Sequence, residues 1–251
     1  MGSIEVIEVG TGDPVVMVHG DVTGAEGTWA TQRPLGDGHR LLLVNRRGFG
    51  GSADVDGEDF LVDATDVAEL LDAHAPAHLV GHSYGGVVSL LAAAATPGSV
   101  RSLTVFEPPA FGVTIDRPET RALVERISGI VDAGPTPEEF LPQFVSAVGG
   151  DPARLPSPLP PPLVRAAGVQ LRGRWPWEAV IPLDVLDAAP FPKLVVSGGH
   201  HVVFDGVCDV LEERLGARRE VLTGAGHSIP SLGDPVNELL ADFWSSVEAD
   251  T

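Results

Sequence analysis

Short apolar runs alternate along this chain with longer amphipathic stretches, and this alternation restricts the fold more than any other feature. The apolar runs, several of them continuous, predict buried strands of the parallel kind at residues 15–18, 41–44, 79–80, 103–106, 194–196 and 220–222. The amphipathic stretches predict helices at residues 60–74, 87–95, 207–215 and 236–247. Strand–helix alternation of this kind predicts an α/β fold with a doubly wound, mostly parallel sheet.

Residues 111–190 interrupt the alternation. They contain most of the 22 prolines, including the stretch "LPSPLPPPL", and two helical patches at 119–131 and 138–148. A flexible linker is one interpretation, but the interleaved Phe140, Phe144, Trp175 and Trp177 favour packing against other parts of the chain. We therefore expect a core formed by residues 1–110 and 191–251, with residues 111–190 as a helical, proline-rich cap.

Bulk properties restrict the partners and the compartment. The net charge of −19 disfavours nucleic acid and anionic membrane surfaces as partners. No apolar stretch approaches the roughly 20 residues of a membrane span, and the start "MGSIEVIEVG" lacks a signal-peptide pattern. The single cysteine, Cys208, excludes an internal disulfide. The expectation is a cytoplasmic protein, and the sequence says nothing about its oligomeric state.

Three motifs suggest chemistry. The stretch "LVGHSYGG", residues 79–86, places Gly81-x-Ser83-x-Gly85 between a predicted strand and a helix, where a serine on a tight turn needs small neighbours. The first predicted strand ends in "HGD", residues 19–21, whose loop could direct backbone N–H groups at an oxyanion. The last predicted strand is followed by "TGAGHSIP", which puts His227 on a loop.

In these three motifs, their order and their spacing, the chain resembles the α/β-hydrolase family over nearly its whole length. The resemblance implies that Ser83 is a nucleophile and that His227 is its general base. It also implies an oxyanion hole made by the backbone of Tyr84 together with Gly20 or Asp21. The family places its cap between the sixth and seventh strands, which matches the position of residues 111–190.

The acid of the expected triad is displaced. Many family members carry an aspartate three residues after the glycine that ends the seventh strand, but "LVVSGGHHVVFD", residues 194–205, has His201 there. Two carboxylates are candidates: Asp205, which could instead cap the helix predicted at 207–215, and Glu107, which ends the strand beside the one leading to Ser83. Pro108 predicts an extended backbone for Glu107. Zearalenone-type lactonases, which resemble this chain in lacking the usual aspartate, carry a glutamate at this location. We favour Glu107; Asp205, another acid or no acid remain open.

Cofactor sites are not indicated. Adjacent residues such as His200 and His201 rarely ligate one metal ion, and no His-Glu-x-x-His motif accompanies them, so we predict no metal. The loop "NRRGFGGS", residues 45–52, has the glycine spacing of a dinucleotide fingerprint, but "ADVDGED" follows it in place of an apolar helix. We assign this loop a structural role, although the family more often begins it with Asp where Asn45 stands.

These observations predict a cofactor-free serine hydrolase that cleaves a neutral, fairly apolar ester or lactone through an acyl-enzyme on Ser83. Hydrolysis of a carbon–carbon bond and perhydrolysis use the same triad and remain alternatives. A binding protein that kept the fold without turnover is a further alternative. Trp175 and Trp177 in the cap, together with His201, are expected to border the substrate pocket. For the two tryptophans, anchoring of the cap on the sheet is the alternative.

Overall fold

A computed structural model describes residues 4–249. Its sheet has seven strands in the order β1-β3-β2-β4-β5-β6-β7, and every neighbouring pair is parallel except β1 and β3. The strands are β1 Glu5–Val9, β2 Asp13–Val18, β3 His39–Asn45, β4 Ala77–His82, β5 Val100–Phe106, β6 Lys193–Ser197 and β7 Arg218–Val221. The predicted doubly wound α/β sheet is confirmed. The apolar runs did not predict β1, because this half-buried edge strand carries two glutamates among its five residues.

Helices cover both faces of the sheet. The α-helices are α1 Ala25–Thr28, α2 Phe60–Ala73, α3 Tyr84–Ala95, α4 Pro118–Asp132, α5 Pro137–Ala147, α6 Pro161–Arg172, α7 Leu183–Ala188, α8 Val202–Leu215 and α9 Asp234–Ala249. Short 3₁₀ helices occur at Ala30–Asp37, Pro97–Ser99, Phe111–Thr114, Pro152–Arg154, Pro176–Glu178 and Ile229–Leu232. Among residues 4–249, no helix is both long and apolar enough to cross a bilayer.

The core consists of two apolar layers, one on each side of the sheet. Successive side chains of a strand point to opposite faces. Accordingly, Val16 and Val18 pack with α2, α3 and α8, whereas Val15 and Met17 pack with Trp29 and α9. The central strands are buried on both faces, which is why they read as continuous apolar runs in the sequence.

Residues 111–190 lie between β5 and β6, the strands that the family's count makes the sixth and seventh, and they contain α4 to α7. Thr136 and Glu139 form a capping box at the start of α5, which stabilises that helix end. Phe140 of α5 is fully buried against Phe144 and Trp175. This segment therefore has a small apolar core of its own above the carboxyl ends of the strands.

Candidate active site

Ser83 lies on a sharp turn between β4 and α3. Its backbone has φ 54° and ψ −126°, a conformation that non-glycine residues rarely adopt and that is often found at functional sites. The flanking glycines allow the turn: a Cβ at Gly81 would lie 2.4 Å from the carbonyl oxygen of Gly85, and one at Gly85 would lie 2.3 Å from that of Val18. The strained turn thus presents Ser83 above the end of β4.

Ser83, His227 and Glu107 form one chain of hydrogen bonds. The Nε2 atom of His227 lies 2.9 Å from Ser83 Oγ, and its Nδ1 atom lies 2.6 Å from Glu107 Oε2. His82, which precedes the serine, contacts the carbonyl oxygen of His227 through its own Nε2 atom at 2.8 Å and so helps to hold the His227 loop. Burial lowers the pKa of His82 to about 4, so that it is neutral and donates this hydrogen bond.

Glu107 is fully buried at the end of β5. Its Oε1 atom accepts a hydrogen bond from the backbone N–H of Gly198 at 2.6 Å, while Oε2 faces His227. Burial alone would raise the pKa of Glu107, but the contacts with His200, His227 and Gly198 outweigh burial and lower this pKa to about 2. Glu107 is therefore ionised at neutral pH.

The backbone of Glu107 differs from the expectation. Its φ is 43°, so it is left-handed and not extended as the following Pro108 predicted. The backbone N–H of Glu107 still donates to Val196 O at 2.9 Å, as a continuing strand would, and the carboxylate is held by Gly198 and His227. These contacts outweigh the local preference that proline imposes on its predecessor.

Asp205 contacts Ser197 and Arg219, and Glu107 is the carboxylate that contacts His227. The Oδ1 atom of Asp205 accepts a hydrogen bond from Ser197 Oγ at 2.5 Å and lies 3.7 Å from an Arg219 nitrogen. The expectation that Asp205 caps a helix is wrong. The helix α8 begins at Val202, earlier than predicted, and its N-cap is His201, whose Nδ1 atom accepts from the Val203 N–H at 3.3 Å.

The two adjacent histidines have different surroundings. His200 Nδ1 lies 3.3 Å from Glu107 Oε1, which is close enough for an ion pair although the hydrogen-bond geometry is poor. This carboxylate raises the pKa of His200. The ring of His201, in contrast, caps α8, and His201 lines neither of the two cavities beside Ser83. The expectation that His201 borders the substrate pocket does not agree with this placement.

Among residues 4–249, Glu107, His200 and His227 could hold a metal ion, since each has one ligand atom within 4.8 Å of those of the others. However, Oε2 of Glu107 and both nitrogens of His227 already take part in the hydrogen-bond chain to Ser83. A metal ion there would compete with that chain.

The loop after β2 passes directly against Ser83. A Cβ at Gly20 would lie 2.9 Å from the Cβ of Ser83, so only glycine fits without displacement. On the other side, Tyr84 is the first residue of α3, where helix N–H groups lack partners within the helix. The expected oxyanion-hole residues Gly20, Asp21 and Tyr84 thus surround the serine on two sides.

Arg46 holds the carbonyl groups of this loop. Its guanidinium, 1% exposed, donates to His19 O at 3.2 Å and to Gly20 O at 3.0 Å. In a trans peptide the C=O and the following N–H point in opposite directions. Because the Gly20 carbonyl is bound to Arg46, the N–H of Asp21 must point away from Arg46. The same guanidinium forms ion pairs with Asp21, Glu58 and Asp63.

We predict that Arg46→Lys lowers kcat/KM by about 10- to 100-fold, because one ammonium cannot replace the forked guanidinium that holds both carbonyls. Asp63→Asn is the matched control, since it removes a partner of Arg46 without touching the loop. The readout is the rate ratio between an ester and its thiono analogue, whose sulfur is a weak acceptor for an oxyanion hole. A ratio that moves equally in both variants would contradict the loop-positioning role.

Burial raises the pKa of Asp21 from 3.8 to about 6, although Arg46 opposes this shift. The folded state then binds more protons than the unfolded state between these values, so this group lowers the free energy of unfolding as pH rises through that window. Asp21→Asn should remove this loss. The stability of the variant relative to the wild type should therefore rise between pH 4 and 6, as measured by urea unfolding. A difference that is independent of pH would disprove this role.

Two chambers meet at Ser83 and His227. The inner chamber, between the sheet and the cap, has a volume of about 20 Å³, and Trp175 and Trp177 both line it. The outer groove has a volume of about 470 Å³ and is lined by residues 148–151 and by the His227 loop at 224–228. The two tryptophans stack with ring centroids 4.8 Å apart.

Three residues of the site are not predicted from the sequence: Arg46, His200 as a neighbour of Glu107, and Gln170, which contacts Asp21 from α6. For Arg46 the sequence does contain an indication of its position. It follows β3 directly, and β3 pairs with β2 in parallel, so the loops after both strands lie at one edge of the sheet. Gln170 had no such signal, because its position depends on how the cap packs.

Comparisons with known proteins agree with this architecture. The sequence model of the alpha/beta hydrolase family matches residues 15–241. The RutD protein of Azorhizobium caulinodans, which has a provisional name as a carbamate hydrolase, is 35% identical over 38% of this chain and 37% of its own length. The 2-hydroxy-6-oxo-6-phenylhexa-2,4-dienoate hydrolase of Comamonas testosteroni is 35% identical over 43% of this chain and 40% of its own. The chain thus matches less than half the length of either relative.

Similarity to solved structures extends over the whole fold. Est816, described as an N-acyl homoserine lactone degrading enzyme, superposes with a TM-score of 0.67 at 25% identity, covering 96% of this chain and 97% of its own. The strand order, the turn at Ser83 and the family match over residues 15–241 agree with one another. The chain belongs to the α/β hydrolase family.

Proposed function

We propose that this protein is a serine hydrolase that cleaves a neutral, fairly apolar ester or lactone through an acyl-enzyme on Ser83. The observation that carries the proposal is the continuous hydrogen-bond chain from Ser83 Oγ through His227 to Glu107. A serine hydroxyl becomes a strong nucleophile when an imidazole accepts its proton, and a carboxylate on the far nitrogen holds the imidazole in the tautomer that can do so.

In the first half of the reaction, Ser83 Oγ attacks the carbonyl carbon while its proton moves to His227 Nε2. The carbonyl oxygen becomes an oxyanion, which the N–H groups of Tyr84 and of Gly20 or Asp21 stabilise. The ionised Glu107 stabilises the imidazolium. The imidazolium then donates its proton to the leaving oxygen, the bond between carbonyl carbon and leaving oxygen breaks, and the acyl group remains on Ser83.

In the second half, a water molecule takes the place of the alcohol. His227 accepts a proton from this water, the resulting hydroxide attacks the acyl carbon, and the proton returns to Ser83 Oγ as the acid is released. These steps require no metal or organic cofactor. In a lactone the leaving oxygen stays attached to the acyl group, so one product carries both the acid and the alcohol.

The preference for a neutral, apolar substrate is supported by the walls of the inner chamber, among them Phe111, Trp175 and Phe204. Est816, an N-acyl homoserine lactone degrading enzyme of similar structure, supports this choice of substrate class. A carbon–carbon bond hydrolase is the second candidate, because several relatives are named as hydrolases of 2-hydroxy-6-oxo-dienoates. It would use the same serine, histidine and glutamate.

Two measurements test the proposal. An alkyl fluorophosphonate should label Ser83, as read by mass spectrometry of the peptide, whereas a binding protein without turnover should not react. Initial rates on a series of phenyl esters and lactones, compared with rates on a 2-hydroxy-6-oxo-dienoate, then separate ester from carbon–carbon hydrolysis. Turnover of the dienoate alone would replace the ester proposal with the second candidate.

A further inference from the structure

The inner chamber has apolar walls and one polar corner, whose side chains lie outside the hydrogen-bond chain of Ser83, His227 and Glu107. Its walls include five aromatic side chains, those of Phe111, Phe144, Trp175, Trp177 and Phe204. The corner is formed by Asp21, which follows the oxyanion loop glycine, and by Gln170 of α6 in the cap. A polar corner in an apolar chamber orients whatever enters it.

Gln170, which lines the chamber, has one side-chain atom without a hydrogen-bond partner. Its side-chain Nε2 lies 3.3 Å from Asp21 Oδ2, and its Oε1 atom is buried without a hydrogen-bond partner. The residue as a whole is 2% exposed. The opposite orientation of the amide would place its oxygen against the Asp21 carboxylate, where the two oxygens would repel each other. Asp21 therefore fixes Oε1 as the free atom.

A buried amide oxygen without a partner is rare and costly in folded proteins, and each one calls for an explanation. The explanation available here is a donor supplied by the substrate, because Gln170 lines the same chamber as Ser83 and His227. One small donor group also matches the available space. The chamber volume of about 20 Å³ exceeds the roughly 10–15 Å³ that a cavity needs to admit one water molecule, so a small polar group can enter it.

The sizes of the two chambers favour an orientation in which the acyl part of the substrate, and not its leaving group, faces this corner. The leaving oxygen receives its proton from His227, and the outer groove contains the loop of His227, residues 224–228. The groove of about 470 Å³ therefore has room for the leaving group. The small chamber at Asp21 and Gln170 then receives the group attached to the scissile carbonyl.

We infer that the preferred substrates carry a short acyl group with a hydrogen-bond donor next to the scissile carbonyl, which Gln170 Oε1 accepts. Two acyl chemistries share this feature: a 2-hydroxyacyl group and a carbamoyl group. The inference rests on the proposed serine-hydrolase function and narrows its substrate class. It makes Gln170 a residue that determines specificity.

The test uses two pairs of 4-nitrophenyl esters of nearly equal shape. Glycolyl is compared with propionyl, and carbamoyl with acetyl, so that each pair differs by a donor in place of a methyl group. The ratio of kcat/KM within each pair is measured for the wild type, Gln170→Met and Gln170→Leu. The intrinsic reactivity of each ester cancels when the ratios are compared between enzymes.

We expect at least one of the two ratios to fall by about 10- to 100-fold in both variants, because the acceptor is lost. A change confined to the glycolyl pair identifies a hydroxyacyl substrate, and one confined to the carbamoyl pair identifies a carbamate. Ratios that stay within threefold of the wild type for both pairs would overturn the inference, as would an equal loss on all four esters.

Two controls separate the possible failures. If both variants fail to fold, the wild type alone decides. Its kcat/KM for each ester is divided by the hydroxide-catalysed rate constant of the same ester. This quotient should be at least tenfold higher for the donor member of a pair, and equal quotients would overturn the inference. If no ester turns over and fluorophosphonate leaves Ser83 unlabelled, the proposed function itself fails. Labelling of Ser83 with unchanged ratios removes only the substrate class.

Discussion

Ser83→Ala should lower kcat/KM on a good ester by about 10⁴- to 10⁶-fold, to a level set by binding and the oxyanion hole alone. The reason is that the variant loses the atom that attacks the carbonyl in the proposed mechanism. The Oγ atom of Ser83 lies 2.9 Å from His227 Nε2, within reach for the imidazole to accept its proton. The measurement is steady-state hydrolysis, combined with mass spectrometry for an acyl adduct.

The fold should survive this substitution. Ser83 is held in its turn by backbone contacts: its N–H donates to Phe106 O at 2.9 Å, and its carbonyl accepts from Gly86 at 2.7 Å. Alanine keeps both. The melting temperature should therefore change by only a few degrees, so that the loss of rate cannot be assigned to unfolding.

Ser89→Ala is the matched control. Ser89 is a buried serine within α3, and its hydroxyl donates to the carbonyl of Gly85 in the same helix. We expect this variant to retain its activity, because the hydroxyl of Ser89 faces the helix backbone. If Ser83→Ala kept more than a tenth of the wild-type rate, the acyl-enzyme mechanism would be wrong.

The parts of the molecule that sequence predicts well are those determined by residues close together in the chain. The turn at Ser83 is one example, because Gly81 and Gly85 allow the backbone conformation that the serine needs. The central strands are another, since burial on both faces produces continuous apolar runs. Neither feature depends on the placement of a distant segment.

Other features depend on contacts between distant segments. The start of α8 was predicted late, because the capping group is the side chain of His201 and not a residue typical of N-caps. The left-handed backbone of Glu107 follows from bonds to Gly198 and His227, which lie 91 and 120 residues away. Sequence spacing places Glu107, the proposed triad acid, at the end of a strand beside Ser83, but it does not predict the backbone conformation of Glu107.

Replacing Glu107 by Gln should lower kcat/KM by about 10²- to 10⁴-fold, less than the loss at Ser83. Glutamine can still accept from the N–H of Gly198 through one oxygen. Its amide nitrogen would then face His227 Nδ1 and donate to it. That contact favours the imidazole tautomer with its proton on Nε2, which cannot accept a proton from Ser83. The charge that stabilises the imidazolium is lost as well.

The matched control is Asp205→Asn, which alters the other carboxylate that the sequence offered as triad acid. Asp205 accepts from Ser197 Oγ and lies 3.7 Å from an Arg219 nitrogen, and asparagine can still accept through its oxygen. We expect little change in rate and a loss of stability of at most about 1 kcal/mol.

Both variants are measured on one ester at pH 7 to 8, where Glu107, with its pKa of about 2, is fully ionised. An inactive Asp205→Asn beside an active Glu107→Gln would reverse the assignment. If both variants were active, Ser83 and His227 would work as a dyad. The short contact between His227 and Glu107 would then hold the His227 loop in place without contributing to catalysis.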